Sequence, residues 1–253
     1  MSPIDSQGAN LGRYLRRLEL RNALDNSVRS AILTIKPKVE DVSAGRDIVR
    51  PRQVVDHACL VESGVVGRFE QFRDGTRRTT MLYIGGDMAD LHSIAFTEAS
   101  WGLFALSDAR IYRVPHDALA SLRDKEPSIA LAFWRDTTVD ASVLSKWVSV
   151  LSRQQAHQRL AHLLCEYGLR MELAGLGTRD RFILPVTQDT LSEILGITTT
   201  HVNRIFSGLR KDGYIATGRR AIEVRNRKGL EQLAEYDSGY LLLDNAPTTP
   251  TSR

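Results

Sequence analysis

The segment from Thr187 to Asp212 constrains the fold most strongly, because two short amphipathic helical patterns meet there at a glycine. The apolar residues of the first pattern share one helical face: Leu191, Ile194 and Leu195. Those of the second recur every three or four residues: Val202, Ile205, Phe206 and Leu209. Gly196 stands where a helix end favours positive φ. Thr187 and Thr198 stand where N-capping side chains are expected. The segment is therefore predicted to form a helix-turn-helix.

The polar face of the second helix carries short hydrogen-bonding side chains and one fork-shaped cation. They are Thr199, Thr200, Asn203, Arg204 and Ser207, with His201 to one side. A helix N-terminus with such side chains can enter the major groove of DNA and reach base edges. Arg204 has the geometry to bond O6 and N7 of a guanine, or to bond a phosphate.

A basic turn between two short apolar runs follows this helix, at about residues 214–225, and predicts a β-wing. Its Arg219 and Arg220 are expected near the DNA backbone, where contacts position a protein without reading sequence. Residues 152–229 hold 13 Lys and Arg against 7 Asp and Glu. This local excess favours contact with phosphates. The alternative is a polar-faced helical hairpin that has no role in DNA binding.

Residues 38–115 contain short apolar or alternating runs separated by glycine- and aspartate-rich breaks. The runs are Val54–Val55, Cys59–Val61, Val65–Phe72, Thr79–Ile84, Gly102–Leu106 and Arg110–Val114. Many short strands at close spacing predict an antiparallel barrel or jelly roll. Asp74-Gly75 between two runs predicts a hairpin. Residues 11–35 are predicted to be helical up to Pro37.

The middle of the chain returns to helical patterns, over residues 116–125, 128–151 and 154–173. The 128–151 helix, with Phe133, Trp134 and Trp147, has more apolar surface than one small barrel can cover. We therefore expect a homodimer joined through this helix, with an internal core helix as the alternative. The acidic, proline-bearing tail after Ser238 is expected to be poorly ordered.

The predicted fold class is α+β: an antiparallel jelly roll, a long dimerisation helix and a winged helix-turn-helix. The predicted domains are a sensor domain at 11–126, the dimerisation helix at 127–151, the DNA-binding domain at 152–230 and an extension at 231–253.

Over about residues 20–228 the chain resembles the cyclic-AMP receptor protein and fumarate-nitrate regulator (Crp/Fnr) superfamily. The most specific matches are Gln188, Leu191, Gly196, Val202, Arg204, Leu209, Gly213-Tyr-Ile215 and the run 156–164. The N-terminal part is similar to a cyclic-nucleotide-binding jelly roll, with the usual turns near Gly45, Gly64, Gly75 and Gly86. The resemblance implies a homodimer on a two-fold DNA operator, and RNA polymerase as a partner if the protein activates transcription.

When the DNA-contacting positions of the family are transferred to this chain, Thr199, Thr200 and Arg204 would face bases. His201 and Asn203 would flank them. Thr187 and Gln188 would touch phosphate. Family members often have Ser-Arg-Glu where this chain has three threonines, so a different half-site sequence is expected.

The resemblance also places an effector pocket, at Gly86, Asp90, Leu91, Ser100 and Ser145. Asp90 can replace the glutamate that holds the ribose in cyclic-nucleotide binders, but Ala99 stands where they carry an arginine. A cyclic phosphate buried without a cation or several N–H donors would be costly. We therefore expect no tight cyclic-AMP binding. Regulation by an effector and constitutive DNA binding both remain open.

Other classes of function have little support in the sequence. There is no GxxxxGK[ST], HExxH or GxSxG motif, so an enzyme is not expected; the close polar cluster Asp87, Asp90 and His92 is the weak alternative. A small-molecule or haem sensor whose helix-turn-helix contacts protein is a second alternative, with possible haem ligands at His57, His92 and His116. No cofactor or metal site is predicted.

The cellular location is expected to be the cytoplasm. Cys59 and Cys165 are far apart and fit free thiols in a reducing compartment. Neither a signal peptide nor an apolar run long enough for a bilayer is apparent.

Overall fold

A computed structural model describes residues 10–243, in which strands dominate the first half and helices the second. Seven strands build the N-terminal part: β1 (Lys38–Val42), β2 (Asp47–Val49), β3 (His57–Ser63), β4 (Val66–Gln71), β5 (Arg77–Tyr83), β6 (Gly102–Ala105) and β7 (Ala109–Pro115). Three more follow: β8 (Arg181–Ile183), β9 (Ile215–Thr217) and β10 (Ala221–Val224). The helices are α1 (Gly12–Glu19), α2 (Asn26–Thr34), α3 (His116–Lys125), α4 (Pro127–Arg153), α5 (Ala156–Leu173), α6 (Gln188–Leu195), α7 (Thr199–Lys211) and α8 (Arg227–Leu233).

The N-terminal strands form the predicted antiparallel jelly roll. One sheet has the order β1-β7-β3 and the other β2-β6-β4-β5. The Asp74-Gly75 turn joins β4 to β5 as predicted, and Gly75 has φ +83° there. β1 and β2 are not among the predicted runs, since β1 is largely charged and buries only Val42. The predicted Val54–Val55 strand is wrong: Val54 is exposed and forms an isolated bridge with Glu98.

The predicted single helix at 11–35 is two helices, which corrects the sequence expectation. The chain breaks after α1, and Asp25 then caps α2 by accepting a hydrogen bond from the Val28 N–H at 2.9 Å. Tyr14 and Leu18 of α1 are buried in a cluster that includes Phe133 of α4. This break lets two short helices cover one end of the jelly roll.

The long helix α4 has two apolar faces. The sequence analysis assigned Phe133, Trp134 and Trp147 together to surface that a partner would cover, but the structure divides them between the two faces. Phe133 and Trp147 are buried within the chain itself, so they do not contribute to an outer surface. The outer face is formed by other residues: Leu131, Trp134, Val148 and Leu151, with exposed fractions of 45%, 73%, 69% and 38%. Apolar surface therefore remains uncovered along one side of α4.

The C-terminal half contains α5 to α8 and the three-stranded sheet β8-β10-β9. The tail is ordered further than predicted: Ser238–Leu241 forms a 3-10 turn, and Leu241 is buried. The Tyr240 hydroxyl donates to Glu166 at 2.8 Å, and Arg21 donates twice to the Leu241 carbonyl, at 2.6 and 3.0 Å. The rest of the predicted poorly ordered tail, 244–253, lies outside the described residues. Within residues 10–243 no helix is long and apolar enough to span a membrane.

Candidate nucleic-acid interface

Three local signals in the sequence determine where α6 begins and ends and where α7 begins. The Thr187 hydroxyl caps α6 by accepting from the Thr190 N–H at 3.1 Å, and Thr198 caps α7 by accepting from the His201 N–H at 3.3 Å. Gly196 ends α6 with φ +64°. The apolar positions predicted for both helices are buried. The pair therefore presents its remaining polar face outward.

The outward face of α7 is made of hydrogen-bonding side chains. Thr200, Asn203, Arg204 and Ser207 are exposed, and His201 is half-buried at the edge. Arg204 has no carboxylate within salt-bridge distance anywhere in residues 10–243. Its guanidinium is thus free to bond an external acceptor.

Thr199 differs from the other predicted base-facing residues, because its side chain already has a partner. Its hydroxyl donates to Asp189 of α6 at 2.9 Å, and the residue is only half-exposed. This bond ties the start of α7 to α6. Thr187 and Gln188, predicted to touch phosphate, are both exposed at the start of α6.

The predicted wing is the β9–β10 hairpin. Its turn is closed by the Gly218 N–H, which donates to the Ala221 carbonyl at 2.9 Å. Arg219 and Arg220 are exposed in this turn, and Arg220 has φ +61°. The sequence analysis missed β8, which pairs with β10 and makes the wing part of a three-stranded sheet.

Two polar contacts that hold this unit were also missed from sequence. Arg159 of α5 donates to the Leu195 carbonyl at 2.9 Å, satisfying the C-terminal end of α6. Glu193 of α6 accepts from both the N–H and the hydroxyl of Thr79 on β5, at 3.2 and 2.9 Å. The helix-turn-helix is thereby bonded directly to the jelly roll.

The residues predicted for an effector pocket do not come together, which corrects that grouping. A cavity lies between the jelly roll and α4, and of the five only Leu91 lines it. Ser100 and Ser145 are exposed, and Gly86 faces a separate cleft beside Arg13 of α1. Asp90 turns away, accepting from the Cys59 N–H at 2.5 Å. Burial raises the pKa of Asp90 to about 6.

The polar cluster considered for an enzyme is also dispersed. Asp87 accepts from Arg17 at 2.5 Å and from Arg170 at 2.7 Å, while His92 packs against the Trp101 ring. Among the residues that the structure describes, no three His, Cys, Asp or Glu side chains are arranged to hold a metal ion.

The other histidines considered as ligands have partners within the protein. His116 is hydrogen-bonded to Ser93 at 2.8 Å, and His57 contacts Asp56 and Arg113. Burial raises the pKa of Cys165 to about 12 and that of Cys59 well above its usual range, so both thiols stay protonated.

Comparisons with known proteins agree with this geometry. Residues 158–233 match the Crp-like helix-turn-helix domain. The fumarate and nitrate reduction regulatory protein of Escherichia coli K12 is 21% identical over 195 residues, covering 77% of this chain and 78% of the relative. The structure of FixK2 from Bradyrhizobium japonicum has a TM-score of 0.71 at 23% identity, over 78% of this chain and 96% of its own. A CooA mutant from Carboxydothermus hydrogenoformans has a TM-score of 0.63 at 16% identity, over 89% and 96% of the two chains.

Proposed function

We propose that the chain is a transcription regulator of the Crp/Fnr superfamily and that two copies bind a two-fold DNA operator with one α7 helix in each half-site. The observation that carries this proposal is the outward face of α7, where Asn203 and Arg204 are exposed and Arg204 is free of carboxylates among residues 10–243. Such a face suits the major groove, where arginine pairs with guanine and asparagine with adenine.

The flanking groups serve to position the helix rather than to read bases. Arg219 and Arg220 of the wing supply charge for backbone phosphates. Thr187 and Gln188 lie at the N-terminus of α6, where N–H groups and the helix dipole favour an anion. His201 lies at the border between the base-reading and phosphate-contacting surfaces.

The dimer is proposed to form through the outer face of α4. Leu131, Trp134, Val148 and Leu151 follow helical spacing along this face, which suits pairing with the same helix of a second copy. Residues between them, such as Ala141 and Ser145, are small enough for close helix approach. Contact with RNA polymerase would follow if the protein activates transcription.

Tight binding of cyclic AMP is not part of this proposal. Ala99 is buried where cyclic-nucleotide binders carry a phosphate-binding arginine, and Asp136 and Asp140 line the cavity beside α4. Two carboxylates near a cyclic phosphate would oppose its binding. Micromolar or tighter affinity in a calorimetric titration would overturn this expectation.

The test begins with a selection from random double-stranded oligonucleotides, which returns the operator and its symmetry. Fluorescence anisotropy on that operator should then show an affinity that falls steeply as salt rises. Replacing Arg204 with alanine should weaken specific binding by about 1–3 kcal/mol and relax the preference at one base position.

The matched control is Arg78→Ala, which removes an exposed arginine from β5 of the jelly roll. It should bind the operator like the wild type. Equal affinity of Arg204→Ala and the wild type would contradict the assignment of α7. A selection that recovers no sequence would instead favour a protein-contacting role for the helix-turn-helix.

A further inference from the structure

The C-terminal segment 236–243, called the strap below, packs against helices from both halves of the molecule. It begins after the region that matches the Crp-like helix-turn-helix domain, which ends at residue 233. Its 3-10 turn, Ser238–Leu241, lies along α4, and the Leu241 side chain is 1% exposed. The strap is therefore an addition to the DNA-binding domain that is built into the core of this chain.

Tyr240 anchors the strap to α5 through a chain of hydrogen bonds. Its hydroxyl donates to Glu166 at 2.8 Å and lies 3.2 Å from Nε2 of His162. Because the hydroxyl has one hydrogen and directs it at Glu166, His162 is the donor to the hydroxyl, as its Nε2–H tautomer. Trp147 of α4 donates to the same oxygen of Glu166 at 3.0 Å. The strap, α4 and α5 thus meet at one buried carboxylate.

Arg21, just after α1, is the second anchor of the strap. Its Nε and Nη2 donate to the Leu241 carbonyl at 3.0 and 2.6 Å, and within residues 10–243 it contacts no carboxylate. Burial, and then the charge of Arg17, lower the pKa of Arg21 to about 10. Moving the strap away would leave this buried cation without its acceptor, which is costly. The strap is therefore held to α1 as firmly as to α5.

The strap crosses the place where the chain turns from α4 into α5. The covalent link there is Gln154-Gln155, and both residues are extended, with ψ 148° and 160°. Gln154 donates to the Ala234 carbonyl at 2.6 Å, just before the strap begins. An extended link fixes the direction of α5 less firmly than a continuous helix would. Contacts across the link therefore help to set the orientation of α5, and of α6 and α7, which pack on it.

We propose that the strap is a positioning element for DNA binding: by tying α5 to α1 and α4, it holds α7 in the orientation that one half-site spacing requires. A dimer whose two α7 helices are held firmly reads one spacing and rejects others, whereas a looser attachment adapts to several. This role in DNA binding rests on the proposed function, but the tie between the helices does not.

The spacing between half-sites tests this role. Anisotropy measures the affinity for the selected operator and for the same operator with one base pair inserted at its centre. The insertion moves one half-site by about 3.4 Å and turns it by about 34°. The double variant Arg21→Met/Tyr240→Phe removes the donors of both anchors. The ratio of the two affinities should fall in it by about threefold or more, and less in Tyr240→Phe alone.

The matched control is the double variant Arg16→Met/Tyr167→Phe. Arg16 is exposed on α1, and the buried Tyr167 hydroxyl has no hydrogen-bond partner among residues 10–243. This control should keep the ratio of the wild type. A variant that is only less stable, or that dimerises less, loses affinity for both operators alike and leaves the ratio unchanged. The ratio therefore reports positioning and not stability.

Hydrogen exchange without DNA gives a second readout that does not depend on the proposed function. Amides at the α4–α5 junction, residues 150–156, should exchange faster in Arg21→Met/Tyr240→Phe, while those of β3 and β7 exchange as in the wild type. An unchanged ratio on an identified operator, or an equal loss of the ratio in the control, would overturn the strap's role. If the selection returns no operator, the proposed function fails and exchange alone decides: unchanged exchange at the junction would then overturn the tie as well.

Discussion

Arginines on the surface of this molecule fall into two groups that differ in their partners. On the jelly roll, Arg77 is paired with Asp47 at 2.6 Å and Arg110 with Asp41 at 2.7 Å. Arg204 and the wing arginines lack such carboxylates within residues 10–243. A pattern of residue types predicts which side chains are cationic, but only the fold shows which cations are already neutralised by a neighbour.

The wing arginines give a prediction at this scale. Replacing Arg219 with alanine and Arg220 with asparagine, which tolerates positive φ, should weaken binding to all DNA sequences alike. Each lost phosphate contact should also reduce the slope of log affinity against log salt by about one. Anisotropy at several salt concentrations measures the slope. A change in base preference with an unaltered slope would assign the wing a reading role instead.

His162 gives a second prediction, on stability. Its ring is fully buried against Trp147, Tyr236 and Tyr240. Burial, and then the charge of Lys146, lower its pKa to about 4. Between about pH 6.5 and pH 4 the unfolded chain therefore binds a proton that the folded chain does not, so stability falls as the pH drops through this window.

The expected contribution of His162 is a loss of about 2 kcal/mol in the free energy of unfolding between about pH 7 and pH 5. Urea denaturation at the two pH values measures the loss, and His162→Gln should show a correspondingly smaller one. If the variant and the wild type lose the same amount, His162 does not titrate in this window.

At the scale of helices and strands, local signals decided what could be predicted. The helices of the DNA-binding half follow from caps and apolar spacing within about ten residues of each other, and α6 and α7 were placed correctly. β1 was missed because its burial comes from pairing with distant β7, not from its own pattern. The bond from Thr79 to Glu193 joins residues 114 positions apart, so no local pattern indicates it.

Replacing either of two glycines of the helix-turn-helix with alanine should change the stability of the protein, but in opposite directions. Gly196→Ala forces a side chain into φ +64° and should destabilise the protein by about 1–2 kcal/mol, although its Cβ would meet only ordinary contacts. Gly208 lies inside α7 with open space where the methyl group of an alanine would lie, so Gly208→Ala should stabilise by about 1 kcal/mol. Urea unfolding of both variants checks the pair. Destabilisation by both would mean that packing, not backbone conformation, governs these positions.

For the whole molecule, a buried ionic network joins the two halves. Arg17 of α1 bonds Asp87 of the jelly roll and Asp136 of α4, while Arg170 of α5 bonds Asp87 from the other side. Removing one partner from such a network leaves a buried charge unpaired, which costs several kcal/mol. The jelly roll, α1, α4 and α5 are therefore held in one arrangement. Sequence alone could not predict this, because the partners come from four separate parts of the chain.

Because the jelly roll, α1, α4 and α5 are held together, the way in which two subunits pair determines the distance between their α7 helices. One α7 helix can read only one half-site, and two must lie about 34 Å apart to read adjacent turns of the groove. If α4 pairs through its outer face, Trp134→Glu replaces the most exposed apolar side chain of that face, 73% exposed, with a charge. We expect the dimer dissociation constant to rise by about two orders of magnitude, the effect of losing an aromatic anchor.

Light scattering after size exclusion should show this variant as a monomer, and anisotropy should show weak binding to the full operator. The control is Phe96→Glu, which changes an equally exposed aromatic residue on the jelly roll, 71% exposed against 73% for Trp134. It should remain dimeric and bind like the wild type. A dimeric Trp134→Glu with full operator affinity would show that another surface joins the subunits, because a charge at that position could not be buried without a partner.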